Sequence, residues 1–178
     1  VMMGYYNQPQ LTDEVIKDGW FHTGDIGVFD EGFLKITDRK KEMFKTSGGK
    51  YVAPQPIENR MKESAFIEQI MVVGEGKKHP SALIVPAFDA IKTWLKETEN
   101  IEGLSNQQII EHKKVIAAID EEVLKYNKFF GQVEQLKRVV LLPQEWTVDK
   151  GELTPTLKLK RKIIHQKYES LIHKIYGE

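Results

Sequence analysis

The sequence predicts an α+β fold, a small mixed domain with a short central β-sheet flanked by helices and preceded by a β-hairpin. Strand-like runs and helical stretches follow each other in the order strand, helix, strand, strand, helix, strand, helix, which is typical of one compact α+β unit. Turn-rich segments with glycine and proline separate these runs. With 178 residues, 40% of them hydrophobic, the chain can bury one core, or one core and a small appended unit.

The β-hairpin comes early in the chain. Residues 27–30 and 32–37 have the composition of two short strands, and Asp30-Glu31-Gly32 forms the turn between them. Gly32 can take the positive φ that such a turn requires. The residues that follow, up to Lys45, are polar and basic, and this change in composition predicts a domain boundary or hinge.

A short helix and a second hairpin are expected next. Pro54 and Pro56 open a segment suited to a helix, because proline is favoured in the first helical turn. Residues 66–73 and 82–85 are strand-like, and the turn-rich stretch between them predicts that the two strands pair.

The rest of the chain is predicted to be mainly helical. Helices are expected at residues 87–97, 107–130 and 160–176, with a strand at 136–142 that Pro143 ends. The second and third helices each carry one apolar stripe with steps of three and four residues. The stripes consist of Ile109, Ile116, Ile119, Val123 and Phe130, and of Ile164, Tyr168, Leu171, Ile172 and Ile175.

Composition excludes several classes of protein. Lysine and arginine total 26, as do aspartate and glutamate, so no global charge favours nucleic acid or an acidic membrane as partner. The absence of cysteine excludes disulfides and cysteine nucleophiles, and the five histidines form no metal-ligand pattern. No apolar run approaches the about 20 residues of a membrane span, and no signal peptide opens the chain. We expect a cytoplasmic protein, with peripheral membrane contact left open, and the start at Val1 inside a motif-like segment predicts a fragment.

Three segments contain candidate functional residues, and the first is residues 19–25. It ends in Gly24-Asp25 just before a predicted strand. Glycine lets the backbone approach a ligand closely, and a carboxylate can accept hydrogen bonds from the two vicinal hydroxyls of a ribose. The alternative is an ordinary turn with a solvated aspartate.

The second segment covers residues 38–54. The guanidinium of Arg39 could bind ribose or phosphate oxygens in a fixed fork, whereas the neighbouring lysines are flexible point charges. The glycine pair Gly48-Gly49 is not part of a P-loop, because Tyr51 follows Lys50 where a P-loop has serine or threonine. The alternative is a solvated basic turn.

The third segment, residues 153–162, leads into the last predicted helix. Its four cations within five residues are Lys158, Lys160, Arg161 and Lys162. A polyanion such as the triphosphate of ATP would fit them, and the alternative is the solvated start of an amphipathic helix.

In this order the three segments resemble the late motifs of the adenylate-forming superfamily, which comprises AMP-forming acyl-CoA synthetases, luciferases and peptide-synthetase adenylation domains. The resemblance covers nearly the whole chain. The matching residues are Gly4-Tyr5-Tyr6-Asn7, Thr12, Gly19-Trp20-Phe21, Thr23-Gly24-Asp25, Asp38-Arg39, Val52-Ala53-Pro54, Ile57-Glu58 and Lys158. The threonine-proline-threonine sequence at 154–156 and the helical insert at 91–130 are most similar to long-chain fatty acyl-CoA synthetases.

The resemblance implies a role for each candidate residue. Asp25 would bind the ribose hydroxyls of ATP, Arg39 would support the same nucleotide, and Lys41 would lie at the hinge about which a small domain rotates. Lys158 would enter the active site and stabilise the negative charge that develops on the α-phosphate during adenylation. In a second orientation the Gly48-Gly49 loop would replace it, so that CoA reaches the acyl-adenylate.

The resemblance also implies three parts of the chain. Residues 1–38 would be the tail of a large amino-terminal adenylation domain, 39–41 the hinge, and 42–178 a mobile carboxy-terminal domain. The implied activity is that of a long-chain fatty acid–CoA ligase, which activates a fatty acid with ATP and transfers the acyl group to CoA. In this family the large domain binds the fatty acid, the triphosphate and Mg²⁺. The chain would therefore need its own amino-terminal domain as partner, and alone it is expected to be inactive.

Two departures and three alternatives accompany this assignment. The usual glycine before the lysine is Leu157, and the residue before the threonine of the first segment is His22. The alternative enzymes are an aryl- or short-chain acyl-CoA ligase and a peptide-synthetase adenylation domain, which a carrier domain would follow. The alternative of another class is a non-catalytic interaction module whose basic segments bind a partner.

Overall fold

The computed structural model describes residues 2–40 and 42–177, and for residues 37–39 it describes the backbone alone. The chain divides into two compact units, Val1–Met43 and Phe44–Glu178. Each unit has its own secondary structure, and the sheets of the two units are separate.

The first unit contains one short helix and two hairpins. Its elements are α1 (Pro9–Val15), β1 (Ile16–Lys17), β2 (Trp20–Phe21), β3 (Asp25–Asp30) and β4 (Phe33–Arg39). Strands β3 and β4 are antiparallel, and Asp30 pairs with Phe33 across the turn. Both turn residues have positive φ, 48° at Glu31 and 86° at Gly32, as in the two-residue turns that match the twist of paired strands. The predicted first hairpin is confirmed.

The second unit is the predicted mixed domain. Its elements are β5 (Phe44–Lys45), β6 (Tyr51–Val52), α2 (Pro54–Met61), β7 (Ile67–Val73), β8 (Ser81–Pro86), α3 (Phe88–Glu99), α4 (Asn106–Glu111), α5 (Lys113–Asn127), β9 (Val139–Leu141), α6 (Arg161–Lys167) and α7 (Glu169–Tyr176). The central sheet has the order β7-β8-β9, with β7 antiparallel and β9 parallel to β8. Helix α2 begins with proline in its first turn, as predicted, and packs against β7.

The core of the second unit surrounds strand β8. All six residues of β8 are buried, which explains its continuous apolar run, because a strand covered on both faces shows no alternation. Ile57 and Met61 of α2 and Ile119 of α5 are also fully buried. Each buried side chain of this size contributes roughly 1.5–3 kcal/mol to folding.

The prediction of one continuous helix at 107–130 is wrong. The chain forms α4 and α5 instead, because His112 between them has an extended backbone with φ −73° and ψ 120°. The break changes which residues face the core: Val115 is buried and Ile116 is exposed. The sequence pattern places Ile116 on the apolar stripe only if the helix continues through His112.

The predicted helix at 160–176 is also interrupted. It forms α6 and α7, separated at Tyr168, whose φ of −109° and ψ of 19° depart from helical values. The helical hydrogen bonds continue through the break, because the Tyr168 N–H donates to the Ile164 carbonyl and the Ile172 N–H donates to the Tyr168 carbonyl, each at 3.0 Å. The apolar face is therefore preserved, with Ile164 and Ile172 buried. Among the described residues, no helix is both long enough and apolar enough to cross a bilayer.

Candidate functional site

Lys158 lies in a loop, residues 153–159, which is called here the Lys158 loop and in which residues 155–158 are exposed. An isolated antiparallel bridge between Leu153 and Leu159 closes it. Inside the bridge, the Thr154 N–H donates to the Lys158 carbonyl at 2.8 Å, and the Lys158 N–H donates to Thr154 Oγ1 at 3.0 Å. The backbone of Lys158 is thus held while its side chain is exposed.

The residue before Lys158 has a strained backbone. The Leu157 N–H donates to the Thr154 carbonyl at 2.8 Å, which completes a turn with Pro155 at its second position. Leu157 has φ 59°, a left-handed conformation that costs a residue with a Cβ atom roughly 1–2 kcal/mol and glycine nothing comparable. This backbone geometry favours glycine, which is the residue that the resemblance leads us to expect at position 157, and the loop keeps the geometry although leucine is present.

A buried carboxylate, Glu152, holds the amino-terminal end of the Lys158 loop. Glu152 Oε1 accepts from Lys167 Nζ at 2.6 Å, and Oε2 accepts from the Thr147 N–H at 3.0 Å. Its carbonyl accepts from the Lys160 N–H at 2.8 Å. The hydrogen bond with Glu152 raises the pKa of Lys167, because it favours the charged ammonium.

A second buried carboxylate, Glu58, holds the residue that follows the loop. Its two oxygens accept from the two terminal nitrogens of Arg161 at 2.7 Å each. Glu58 Oε1 also accepts from the Val72 N–H at 2.8 Å. Burial raises the pKa of Glu58, and the Arg161 guanidinium opposes this rise. Helix α6 thus begins at a residue tied to the central sheet.

The glycine pair lies in the hairpin of β5 and β6. Thr46 is buried, and its hydroxyl donates to the Lys50 carbonyl at 3.2 Å. Gly49 has φ 78°, and its N–H donates to the Thr46 carbonyl at 2.9 Å. The turn therefore requires glycine at 49, and both glycines are exposed.

The candidates of the first unit meet at one end of the β3–β4 hairpin. Asp25 and Arg39 are direct backbone partners in the ladder. Gly24 has φ 75°, and the Asp25 N–H donates to Thr23 Oγ1 at 3.0 Å. The structure therefore brings the backbones of the two expected nucleotide-binding residues together. The side chain of Arg39 and the whole of Lys41 lie outside the described residues.

Sequence reasoning missed the two carboxylates that hold the ends of the Lys158 loop. In the sequence, Glu58 is one residue of a longer motif, and Glu152 carries no distinguishing signal. A signal exists for Glu58, because an acidic residue between two core positions, Ile57 and Met61, needs a buried cation as partner. Arg161 stands in a run of four cations, and nothing in the sequence distinguishes it from the others. Among the described residues, no group of histidines and carboxylates could hold a metal ion.

Comparison with known proteins identifies a matching family and relatives. The profile described as the AMP-binding enzyme C-terminal domain matches residues 42–178. The chain is 40% identical over 179 residues to long-chain-fatty-acid–CoA ligase FadD15 of Mycobacterium tuberculosis, covering 100% of this chain and 30% of that protein. It is 38% identical over 182 residues to long-chain-fatty-acid–CoA ligase 1 of Homo sapiens, covering 99% of this chain and 26% of the relative. The chain thus spans less than a third of the length of these relatives.

Solved structures share the fold. The adenylation domain of a carboxylate reductase from Mycobacterium chelonae superposes with a TM-score of 0.79 at 23% identity, covering 99% of this chain and 26% of that one. The A domain of a carboxylic acid reductase from Segniliparus rugosus, solved with AMP and a co-purified carboxylic acid, gives 0.76 at 22% identity, covering 99% and 26%. At these identities the likeness establishes the fold.

Proposed function

The chain belongs to the family of C-terminal domains of AMP-binding enzymes, and we propose that it is the mobile carboxy-terminal part of a long-chain fatty acid–CoA ligase. Its relatives named above are long-chain-fatty-acid–CoA ligases at 40% and 38% identity. The proposed reaction has two steps. A fatty acid carboxylate attacks the α-phosphorus of ATP and releases pyrophosphate, and the thiolate of CoA then attacks the acyl carbonyl and releases AMP.

The geometry of Lys158 is the observation that carries this proposal. Its side chain is exposed, while its backbone is held on both sides by Thr154. Among the described residues, no carboxylate lies within ion-pair distance of the Lys158 ammonium, in contrast to Arg161 and Lys167. An ammonium on a fixed loop, available to a phosphate, can stabilise charge that develops in the adenylation transition state without reorganising.

The other substrate roles follow from the positions of the candidates. Asp25 would bind the ribose and Arg39 would support the nucleotide, and their pairing in the β3–β4 ladder supports a shared ligand. The exposed Gly48-Gly49 turn would face CoA, and Lys41 would serve as the hinge. Mg²⁺, which accompanies ATP, is assigned to the large amino-terminal domain.

The surface of the first unit supports the proposal that a larger domain precedes it. On the β3–β4 hairpin, Phe29 and Leu34 are direct partners on one face, and they are 82% and 60% exposed. Apolar side chains gathered in this way mark a surface that another part of the protein covers. We therefore assign residues 1–38 to the tail of the adenylation domain and residues 42–178 to the domain that rotates.

The test compares Lys158→Ala with the native full-length protein, using ATP, palmitate and CoA. Pyrophosphate release reports adenylation, and thioester formation from preformed palmitoyl-adenylate reports the second step. We expect adenylation to fall by a factor of roughly a hundred or more, with the second step retained. Lys150→Ala, which removes an exposed charge earlier in the same region of the chain, is the matched control. Unchanged adenylation in Lys158→Ala would show that another lysine has this role.

The substrate class requires a separate measurement. Acids of graded chain length, together with benzoate and amino acids, are compared by kcat/KM in the native full-length protein. We expect long-chain fatty acids to be preferred. A preference for aromatic or amino acids would replace the proposed substrate with one of the alternative enzyme classes, and no turnover of any acid would reject the ligase assignment.

A further inference from the structure

Glu58 and Arg161 form a two-pronged ion pair between residues that are 103 positions apart in the sequence. The carboxylate and the guanidinium meet through two parallel hydrogen bonds of 2.7 Å, which fixes orientation as well as distance. The side chain of Glu58 is 6% exposed and that of Arg161 is 24% exposed. This ion pair is therefore unlike the exposed pairs elsewhere on the surface of the unit.

The acidic partner is fixed to the rigid part of the second unit. Glu58 lies on α2 between Ile57 and Met61, both fully buried. Its Oε1 also accepts from the N–H of Val72 in β7 at 2.8 Å. The carboxylate therefore occupies one position relative to both the helix and the central sheet.

Arg161, the basic partner, connects the fixed carboxylate to the Lys158 loop. Arg161 is the first residue of α6, and only Lys160 separates it from the Leu153–Leu159 bridge that closes the loop. Lys160 is held as well, because its N–H donates to the carbonyl of Glu152 at 2.8 Å. Movement of the loop base relative to the sheet would therefore break the ion pair.

Energetics indicate why an ion pair is present here. Removing two charges from water costs several kcal/mol per ion, so a buried pair contributes little to stability compared with apolar residues of similar size. Its advantage is geometric, because a guanidinium fork binds a carboxylate in one orientation. We propose that Glu58 and Arg161 are positioning residues that hold the Lys158 loop in the geometry required for adenylation. This inference rests on the proposed function of Lys158, and neither residue is required to touch the substrate.

The experiment measures the two half-reactions of the full-length protein separately. Glu58→Gln keeps the shape of the side chain, and Arg161→Lys keeps the charge but loses the fork. A misplacement of about 1 Å can cost on the order of a hundredfold in rate, so we expect each variant to lose about tenfold to a hundredfold in the kcat of adenylation. Thioester formation from palmitoyl-adenylate should stay within about twofold, because that step does not use Lys158.

A matched control is available on the same helix as Glu58. Arg60 pairs with Glu63 at 2.9 Å, with the two side chains 40% and 52% exposed. Arg60→Lys makes the same substitution as Arg161→Lys in an exposed pair, and exposed pairs contribute little. Both half-reactions should be unchanged in this control. If Arg60→Lys lowers the kcat of adenylation as much as Arg161→Lys does, the inference is overturned.

The double variant Glu58→Gln with Arg161→Met separates positioning from stability. The introduced glutamine would keep an acceptor for the Val72 N–H, and methionine would fill the space of the arginine stem, so the protein is expected to fold with an unchanged melting temperature. Adenylation should be slowed no more than in the single variants, because all of them lose the same interaction. Equal slowing of both half-reactions would show a purely structural role and overturn the proposal.

Amide hydrogen exchange provides a readout that does not depend on activity. In Glu58→Gln, the amides of Lys158 and Lys160 should exchange at least about tenfold faster, while those of β8 keep their protection. Unchanged exchange in the loop would overturn the inference even if the protein proves to have another activity. Slow adenylation in Lys158→Ala with normal adenylation in both Glu58→Gln and Arg161→Lys would reject the inference alone and leave the proposed function standing.

Discussion

Gln69 pairs through its side chain with the backbone of Trp146, 77 residues further along the chain. Gln69 Nε2 donates to the Trp146 carbonyl at 3.0 Å, and the Trp146 N–H donates to Gln69 Oε1 at 2.7 Å. One side-chain amide thus satisfies both backbone groups of one residue. The contact joins strand β7 to the segment between β9 and the Lys158 loop, and the side chain of Trp146 is itself buried.

Replacement of Gln69 should therefore destabilise the protein. In Gln69→Leu both hydrogen bonds are lost and the backbone of Trp146 is left without its partner, so we expect a loss of about 2 kcal/mol in the free energy of unfolding. Urea unfolding measures this loss. Gln107→Leu, on the exposed face of α4, should change the same quantity by less than about 0.5 kcal/mol. Equal effects of the two substitutions would contradict the role of the pair.

Asn127 makes the same arrangement with Leu136. Its Nδ2 donates to the Leu136 carbonyl at 2.9 Å, and its Oδ1 accepts from the Leu136 N–H at 3.0 Å. Asn127→Ala should cost about 2–3 kcal/mol, because the side chain is buried and both partners remain. Asn106→Ala, which loses a single bond of 3.3 Å to Pro143, should cost clearly less in the same unfolding assay. A cost for Asn127→Ala no greater than for Asn106→Ala would argue against this arrangement.

Leu157→Gly should stabilise the protein. Leucine at φ 59° carries strain that glycine does not, and its side chain is 71% exposed, so little burial is lost. After the greater entropy of glycine in the unfolded chain is subtracted, we expect a gain of about 0.5–1 kcal/mol. Leu157→Ala keeps the strained φ and serves as the control, with no gain expected in thermal unfolding. A less stable Leu157→Gly variant would show that the leucine side chain makes a contribution of its own.

The stability of the protein should depend on the ionisation of Glu58. Burial raises the pKa of Glu58 above its ordinary value of 4.5, so between these two values the folded protein holds a proton that the unfolded chain has released. Stability then falls as the pH rises through this interval, by at most about 1.4 kcal/mol per pH unit for one proton. The free energy of unfolding is measured with urea from about pH 4 to 8 for the native protein and for Glu58→Gln. The advantage of the native protein over the variant should shrink with rising pH, and an advantage that grows would mean that the pKa is lowered.

Features with local signals could be predicted from the sequence. Gly32 marked the first hairpin and Pro54 the start of α2, since each depends on the backbone preference of one residue. The apolar run at residues 82–85 likewise predicts a strand, and the structure contains this strand as part of β8. For the candidate site, the resemblance of whole motifs predicts roles for Lys158 and the glycine pair.

Features that depend on distant partners could not be predicted. The apolar spacing continues through His112 and Tyr168, so periodicity alone indicates no helix break at either residue. The partner of Glu58 lies 103 residues away, and four neighbouring cations give Arg161 no distinguishing signal. The left-handed backbone of Leu157 was partly predictable. Leucine stands where the family usually has glycine, and this difference was the one sequence signal at that position.

The parallel pairing of β8 with β9 has a consequence for folding kinetics. Ala82 lies opposite Val139, and α3, α4 and α5 all come between these strands in the sequence. The entropy lost on closing a chain segment grows with its length, and non-local pairing slows folding. The β7–β8 hairpin should therefore form early and β9 should join it late. Because the Lys158 loop follows β9, we expect the loop to become ordered late, so that in pulsed hydrogen exchange during refolding the Lys158 amide gains protection after the amides of β7 and β8.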